Sequence, residues 1–425
     1  MKHEKRIVKI ISDWILPVTS SPIKDGIVVI EDNTIKAIGE KKDLSSLPCD
    51  EVIDCSDKIL MPGLVNAHAH LELTGFRGKI KEGISFTDWA REVVAIRKGL
   101  SEKEITSAIK NGADELISSG ATSIGDFSQT GIAGRILKEK GLKGTIFLEF
   151  SGFNPEQKHE KLRKLKGLLN SGIDSKLITH HSSLITVNFG IAPHAPYSVS
   201  KELLKESHAL AKEKNLPFAI HISEMPEEME FIKTGSGAMK DLLIEFGAWN
   251  DKWTPPQTTP VQYLHNLGIL KEAAGIHLNL VTTEDIRILK ENNISVVYCP
   301  GSNKWFGRNL KYPLMEFLNS GINVAIGTDS MASNEQLNMF YEMRIIKENF
   351  PDLENNTILK MATINGAKAI GFEKEIGEIT VGKRADIIGI DVKDNSTNDP
   401  VDCVINMAEK VSFSIVNGET VFMEG

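Results

Sequence analysis

From residue 59 onward, short apolar runs alternate with longer charged, amphipathic segments, whereas the first 58 residues carry only short β-type patterns. Runs at 7–11, 26–31 and 34–38 predict strands, with Glu31-Asp-Asn-Thr34 as the turn between the last two. Beyond them the pattern predicts strands at 59–65, 121–127, 144–150, 185–194, 217–223, 274–278, 295–299 and 324–328. Helices are expected at 86–107, 132–140, 155–170, 201–215, 235–246, 283–292 and 315–320, then at 335–347 and 356–370. Ser101-x-x-Glu104 has the form of a capping box. Regular strand-then-helix order means parallel strands with crossover helices. Eight such units in about 310 residues suit a (β/α)8 TIM barrel better than a doubly wound sheet. No Gly-x-Gly-x-x-Gly follows a strand to favour the sheet. After Gly371 the β pattern returns at 377–379, 385–391, 413–416 and 420–422, and Asn417-Gly418 is a hairpin-turn signal. The expected organisation is a barrel over 59–371, inserted into a small composite β-sandwich built from 1–58 and 372–425.

A chain of 425 residues with 41% hydrophobic and 25% charged content can bury a barrel-sized core. The net charge of -8 argues against binding nucleic acid or an anionic membrane surface, but leaves a nucleoside-sized ligand open. Cysteines at 49, 55, 299 and 403 have no Cys-x-x-Cys spacing, so neither a disulfide framework nor a thiolate zinc site is expected. A cytoplasmic location, no membrane span, a small-molecule substrate and a possible homodimer complete the expectation.

In a barrel of this kind chemistry sits at the C-terminal strand ends. The first predicted strand ends in Met61-Pro-Gly-Leu-Val-Asn-Ala-His-Ala-His70. Alternate residues of a strand share a face, so His68 and His70 point the same way and can hold one metal ion. Taken alone, His-x-His is as often a pair of surface residues. The other strand ends supply Glu149, His194, His221, His277, Asn303 and Asp329. Five of eleven histidines and one aspartate at strand ends make the joint pattern a metal site. The remaining six, at 3, 159, 180, 181, 208 and 265, read as solvated. Three histidines and a carboxylate suit one divalent ion, zinc first and ferrous iron second, with an open position for water. The ion lowers the pKa of that water. Glu224, three residues after His221, is placed to move its protons, although it also opens an acidic run that would otherwise read as surface.

These motifs together resemble the amidohydrolase superfamily, in its cytosine-deaminase-like branch. They are the 62–70 stretch, Pro193-His-Ala-Pro-Tyr-Ser198, His221-x-x-Glu224, His277-Leu-Asn, Cys299-Pro-x-Ser-Asn303, Gly327-Thr-Asp329 and Gly377-Glu-Ile-Thr-Val-Gly-Lys-Arg-Ala-Asp386. The resemblance implies His68, His70, His221 and Asp329 as ligands of a single metal. His194 stands where binuclear relatives carry a lysine or glutamate, and would contact substrate instead. Glu224 would protonate a ring nitrogen, and His277 with Asp329 would orient and deprotonate the attacking water, with loss of ammonia. His70-Leu-Glu72-Leu and Phe147-Leu-Glu149-Phe-Ser-Gly152 are similar to the aminodeoxyfutalosine deaminases of the menaquinone pathway. Adenosylhomocysteine, methylthioadenosine or guanine deaminases and triazine hydrolases are the alternatives, and a catalytically dead scaffold is the non-enzyme reading. Glu72, Glu149, Asn303 and Trp89 are the expected substrate contacts, and Arg77, Arg91 and Arg97 are candidates to meet a substrate carboxylate.

Overall fold

The computed structural model describes residues 5–174, 186–308, 310–391 and 399–423. His3, His180 and His181 and the start of the predicted fourth barrel strand at 185 lie outside them. The strands in chain order are β1 (Ile7–Ile15), β2 (Ile23–Glu31), β3 (Thr34–Glu40), β4 (Glu51–Pro62), β5 (Leu64–Ala69), β6 (Ala121–Ser128), β7 (Lys143–Phe150) and β8 (Val187–Pro193). They continue with β9 (Ala219–Ile222), β10 (Ala274–His277), β11 (Ser295–Tyr298), β12 (Asn323–Ile326), β13 (Ile387–Asp391), β14 (Phe413–Val416) and β15 (Glu419–Met423).

Strands β5 to β12 are all parallel and pair in sequence order as two four-stranded sheets. Parallel bridges Ile191–Phe218 and Ala69–Asp329 join those sheets at both edges. The ring is therefore closed: it is the (β/α)8 barrel, with no free edge of the kind that invites aggregation. Inward side chains such as Val65, Ala67, Phe127, Phe147, Ala192, Ile276 and Val297 form its packed interior. The strands read as continuous apolar runs because helices cover their outer faces.

The remaining strands form one seven-stranded sheet in the order β15-β14-β13-β4-β1-β2-β3, so both chain ends do build a single unit. It curls on itself: Ile35 N–H donates to the Lys383 carbonyl and Gly382 N–H to the Ile35 carbonyl, at 2.9 Å each. The expected sandwich is thus one continuous, folded-over sheet around Val8, Ile10, Val28, Ile35, Leu60 and Phe413. Asn417 and Gly418 have φ of 56° and 82°, the left-handed pair that a two-residue hairpin turn requires. The Lys143 ammonium at the start of β7 pairs with Asp386 at 2.7 Å, both nearly inaccessible, and ties barrel to sheet.

Several boundaries differ from the sequence expectation. Residues 59–62 belong to β4 of the seven-stranded sheet, and the barrel begins at Leu64. Gly63 is the crossing point, where a Cβ would lie 2.0 Å from Thr122 Oγ1. The helix expected at 86–107 is two helices, Phe86–Lys98 and Glu102–Ser118, and Ser101 with Glu104 forms the capping box of the second. A helix at Pro226–Thr234 covers the acidic run, Pro400–Met407 adds one in the tail, and 377–379 is not a strand. His208 is buried against Phe218 rather than solvated.

Candidate active site

The C-terminal ends of the barrel strands bring the predicted residues together. His68, within β5, has no exposure, and both its ring nitrogens are buried without a hydrogen-bond partner. A buried, unsatisfied imidazole is costly, and here its neighbours are other potential donors. Its ring lies 4.8 Å from that of His70 and 4.9 Å from that of His221, centre to centre. One nitrogen each of His68, His70 and His221 lie within 4.8 Å of one another, and the same holds for ligand atoms of His68, His277 and Asp329. Asp329 Oδ1 is 3.5 Å from His68 Nε2 and 3.8 Å from His70 Nε2. Donors held about 2.1 Å from one tetrahedral ion stand roughly 3.4 Å apart, so the set fits a divalent metal.

The surroundings keep the donors in binding form. Burial pushes the imidazoles of His68 and His70 down and that of His221 further, so all three stay neutral and can donate a lone pair. His221 Nδ1 is 2.9 Å from the backbone carbonyl of His194; donating there fixes the tautomer and leaves Nε2 for an ion. Burial pushes the Asp329 carboxyl up, but the adjoining His68, His277 and His70 hold it well below the usual carboxylate range. Ser302 Oγ and Ser333 Oγ donate to its Oδ2, and the Ser330 N–H to its Oδ1.

Close strand approach makes this possible. A Cβ at Gly327 would lie 2.7 Å from His68 Cβ, so β12 reaches β5 only through glycine. Ser223, His277, Leu278 and Asp329 all have φ between 52° and 71°, the left-handed region, at the ends of β9, β10 and β12. Non-glycine residues are rarely held there, and such strain concentrates at functional sites.

Glu224 is buried, with Oε2 3.6 Å from His277 Nε2 and Oε1 accepting from Arg308 Nη2 at 2.8 Å. Burial pushes its carboxyl up, and the Arg308 charge opposes that. Such a balance suits a group that takes and returns a proton. His277 is pushed down to about 3 and His194 to about 4, both by burial, so both are neutral at pH 7. His194 Nδ1 meets Ser198 Oγ at 2.8 Å.

The remaining predicted residues divide. Glu149 keeps a buried unpartnered oxygen, 3.8 Å from His221 Nδ1, and is available to a ligand. Glu72 is occupied by the protein: Ser128, the Thr130 N–H and Thr130 Oγ1 donate to one oxygen, and Arg97 pairs with the other. Asn303 exchanges amide hydrogen bonds with Asn279 and accepts from Arg308. Trp89 is half-buried between Phe86 and Phe306, with its indole N–H donating to the Ala332 carbonyl. Arg77 and Arg91 pair with Glu115 and with Asp88 and Glu245. Sequence reasoning missed Arg308, Asp126 and Glu228. Arg308 lies only five residues past Asn303; the other two are single acidic residues whose burial no local pattern signals.

Comparison with known proteins gives the family and the fold. The Amidohydrolase family model matches residues 59–421. A 5-methylthioadenosine/S-adenosylhomocysteine deaminase of Caldanaerobacter subterraneus is 32% identical over 428 residues, covering 96% of this chain and 91% of that protein. A 5'-deoxyadenosine deaminase of Methanosphaera stadtmanae is 31% identical over 382 residues, 87% of this chain and 82% of that one. The crystal structure of Helicobacter pylori aminofutalosine deaminase has the same fold, with a TM-score of 0.85 at 24% identity, covering 97% of this chain and 100% of that one. No helix among the described residues is long and apolar enough to cross a membrane. A closed eight-stranded barrel, clustered histidines and Asp329 at its strand ends, and a family match across most of its length place the chain in the amidohydrolase family, as a hydrolase.

Proposed function

We propose that the protein is a metal-dependent aminohydrolase that removes the exocyclic amine of the adenine ring in an adenosine derivative. The observation that carries this is the cluster of His68, His70, His221, His277 and Asp329 with the Glu224 carboxyl facing it. His68, His70, His221 and Asp329 would hold the ion, with zinc preferred by the nitrogen-rich donor set and ferrous iron the alternative. A divalent ion there supplies Lewis acidity and brings the pKa of water toward about 7. His277 and Asp329 orient the attacking water and accept its proton. Glu224 protonates the ring nitrogen beside the amine-bearing carbon and recovers a proton from the added hydroxyl, while the proton taken from the water passes from His277 and Asp329 to the amine, so that the C–N bond breaks with loss of ammonia. His194, neutral and anchored by Ser198, is placed to hydrogen-bond the purine.

The finer reading is 6-amino-6-deoxyfutalosine, in menaquinone biosynthesis. It is supported by His70-Leu-Glu72-Leu and Phe147-Leu-Glu149-Phe-Ser-Gly152 at the ends of β5 and β7. A second reading, methylthioadenosine, adenosylhomocysteine or 5'-deoxyadenosine, is favoured by relatives above 30% identity named for those substrates. The pairing of Arg77, Arg91 and Arg97 with protein carboxylates also favours methylthioadenosine and 5'-deoxyadenosine, whose 5' arms carry no carboxylate, within that reading. Ammonia release across this panel, with guanine and a chlorotriazine as further arms, separates them. Turnover of aminodeoxyfutalosine well above the others supports the finer reading; turnover of the others alone replaces it. Turnover of none of the adenosine derivatives refutes the proposal.

A further inference from the structure

The Glu224 loop is held from behind by a second buried carboxyl group, that of Glu228. Glu228 has no exposure, and its two oxygens accept separate backbone N–H groups, Oε1 from Ser223 at 3.0 Å and Oε2 from Glu224 at 2.8 Å. Glu228 is the third residue of the helix Pro226–Thr234, whose N-cap Met225 has no side-chain cap. A glutamate at that position ordinarily reaches back to the N-cap N–H. Here it reaches past Met225 to the two residues before it. The N–H groups it takes belong to Ser223, held at φ 52°, and to Glu224 itself. On the other side, Asn279 Nδ2 donates to the Glu224 carbonyl at 3.0 Å. Both backbone polar groups of Glu224 are thus fixed by side chains, and the carboxyl is aimed at His277.

A carboxyl group buried beside another carboxyl is an expensive way to cap a helix, and burial pushes that of Glu228 up to about 8. Two oxygens on two successive N–H groups is a geometry that an amide cannot reproduce. We propose that Glu228 is a positioning residue for the deamination assigned above: it locks the strained Ser223–Glu224 backbone so that Glu224 reaches the reacting purine. This rests on the proposed function for the reaction, but not for the geometry. Misplacing a proton-transfer group by about 1 Å costs on the order of 100-fold in rate.

The test uses Glu228→Gln, which keeps volume but turns one acceptor into a donor, and Glu228→Asp, which keeps the carboxyl group but withdraws it by one methylene. Both are measured as metal-loaded full-length protein. The expected result is a kcat lower by about 10- to 100-fold, a KM within about threefold of the parent, unchanged metal content and an altered pH profile of kcat. Crystal structures of the variants should show Ser223 released from positive φ and the Glu224 carboxyl moved away from His277. Parental kcat and pH profile in both variants overturn the proposal, and so does a loss of activity that only follows loss of metal or of folded protein. If the parent enzyme deaminates no adenosine derivative, the function fails while the variant structures still decide the positioning: an unmoved Glu224 overturns it, and a released loop upholds it.

Discussion

Glu224→Gln tests the chemistry most sharply among single substitutions. The glutamine fills the same volume at a buried position, and its oxygen can still accept from Arg308 Nη2, which stands 2.8 Å from Oε1. What is lost is a group that can carry a proton next to His277 Nε2, 3.6 Å from Oε2. A positioned acid-base group contributes about 10²- to 10⁴-fold. At about 1.36 kcal/mol per tenfold, that is roughly 2.7–5.4 kcal/mol of transition-state stabilisation. Ground-state contacts should survive, because Arg308 also bonds Asn303 at 3.0 Å and so remains anchored. The variant should therefore fold, hold its metal and keep KM within about threefold while kcat collapses. Steady-state ammonia release on the substrate identified by the panel, with metal analysis and thermal unfolding on the same preparations, reads all three. A kcat within about threefold of the parent would remove Glu224 from the proton path.

Two further outcomes concern stability. Asp126 accepts the Leu71 N–H through Oδ1 but leaves Oδ2 buried and unpartnered, and burial pushes its carboxyl up to about 8. The folded state thus keeps a proton that the unfolded chain releases near pH 4, so this contribution is full below about pH 4 and is lost as pH rises toward 8. In Asp126→Asn the pH dependence of unfolding free energy should become less steeply falling across pH 5–8, by up to about 1.4 kcal/mol per pH unit; parallel parent and variant curves would contradict this. Lys143→Met removes one partner of the buried Lys143–Asp386 pair and should cost about 3–5 kcal/mol in denaturant unfolding. A cost under about 1 kcal/mol, as for an exposed pair, would show that the link between barrel and sheet is not the tie described.

The barrel was legible because parallel strands buried on both faces become plain apolar runs, and because six of their ends carry histidine or a carboxylate. The crossing at Gly63 was not, since 59–65 is one apolar run shared by two sheets, and only the closeness of Thr122 reveals the break. The shared face of His68 and His70 was readable from period-2 alternation, and the strand-end placement of His221 and Asp329 from the run of predicted strands, while their grouping as one ligand set came from the family resemblance. Glu228 was not: inside Glu224–Glu230 it has the same local pattern as its exposed neighbour Glu230, and tertiary burial alone separates them. Glu72 shows the converse. A strand-end carboxylate needs a partner, but sequence cannot say whether the partner is a ligand or, as found, Arg97, Ser128 and Thr130.

One ion is expected between four particular side chains, His68, His70, His221 and Asp329. Anomalous diffraction from crystals of zinc-reconstituted protein, with elemental analysis of the same sample, tests it directly. The expected result is one metal per chain, about 2.0–2.2 Å from nitrogens of His68, His70 and His221 and an oxygen of Asp329. A second ion of equal occupancy at Glu149 and His194, whose ligand atoms also lie within 4.8 Å of one of His221, or no ion at the four-residue cluster, would contradict it.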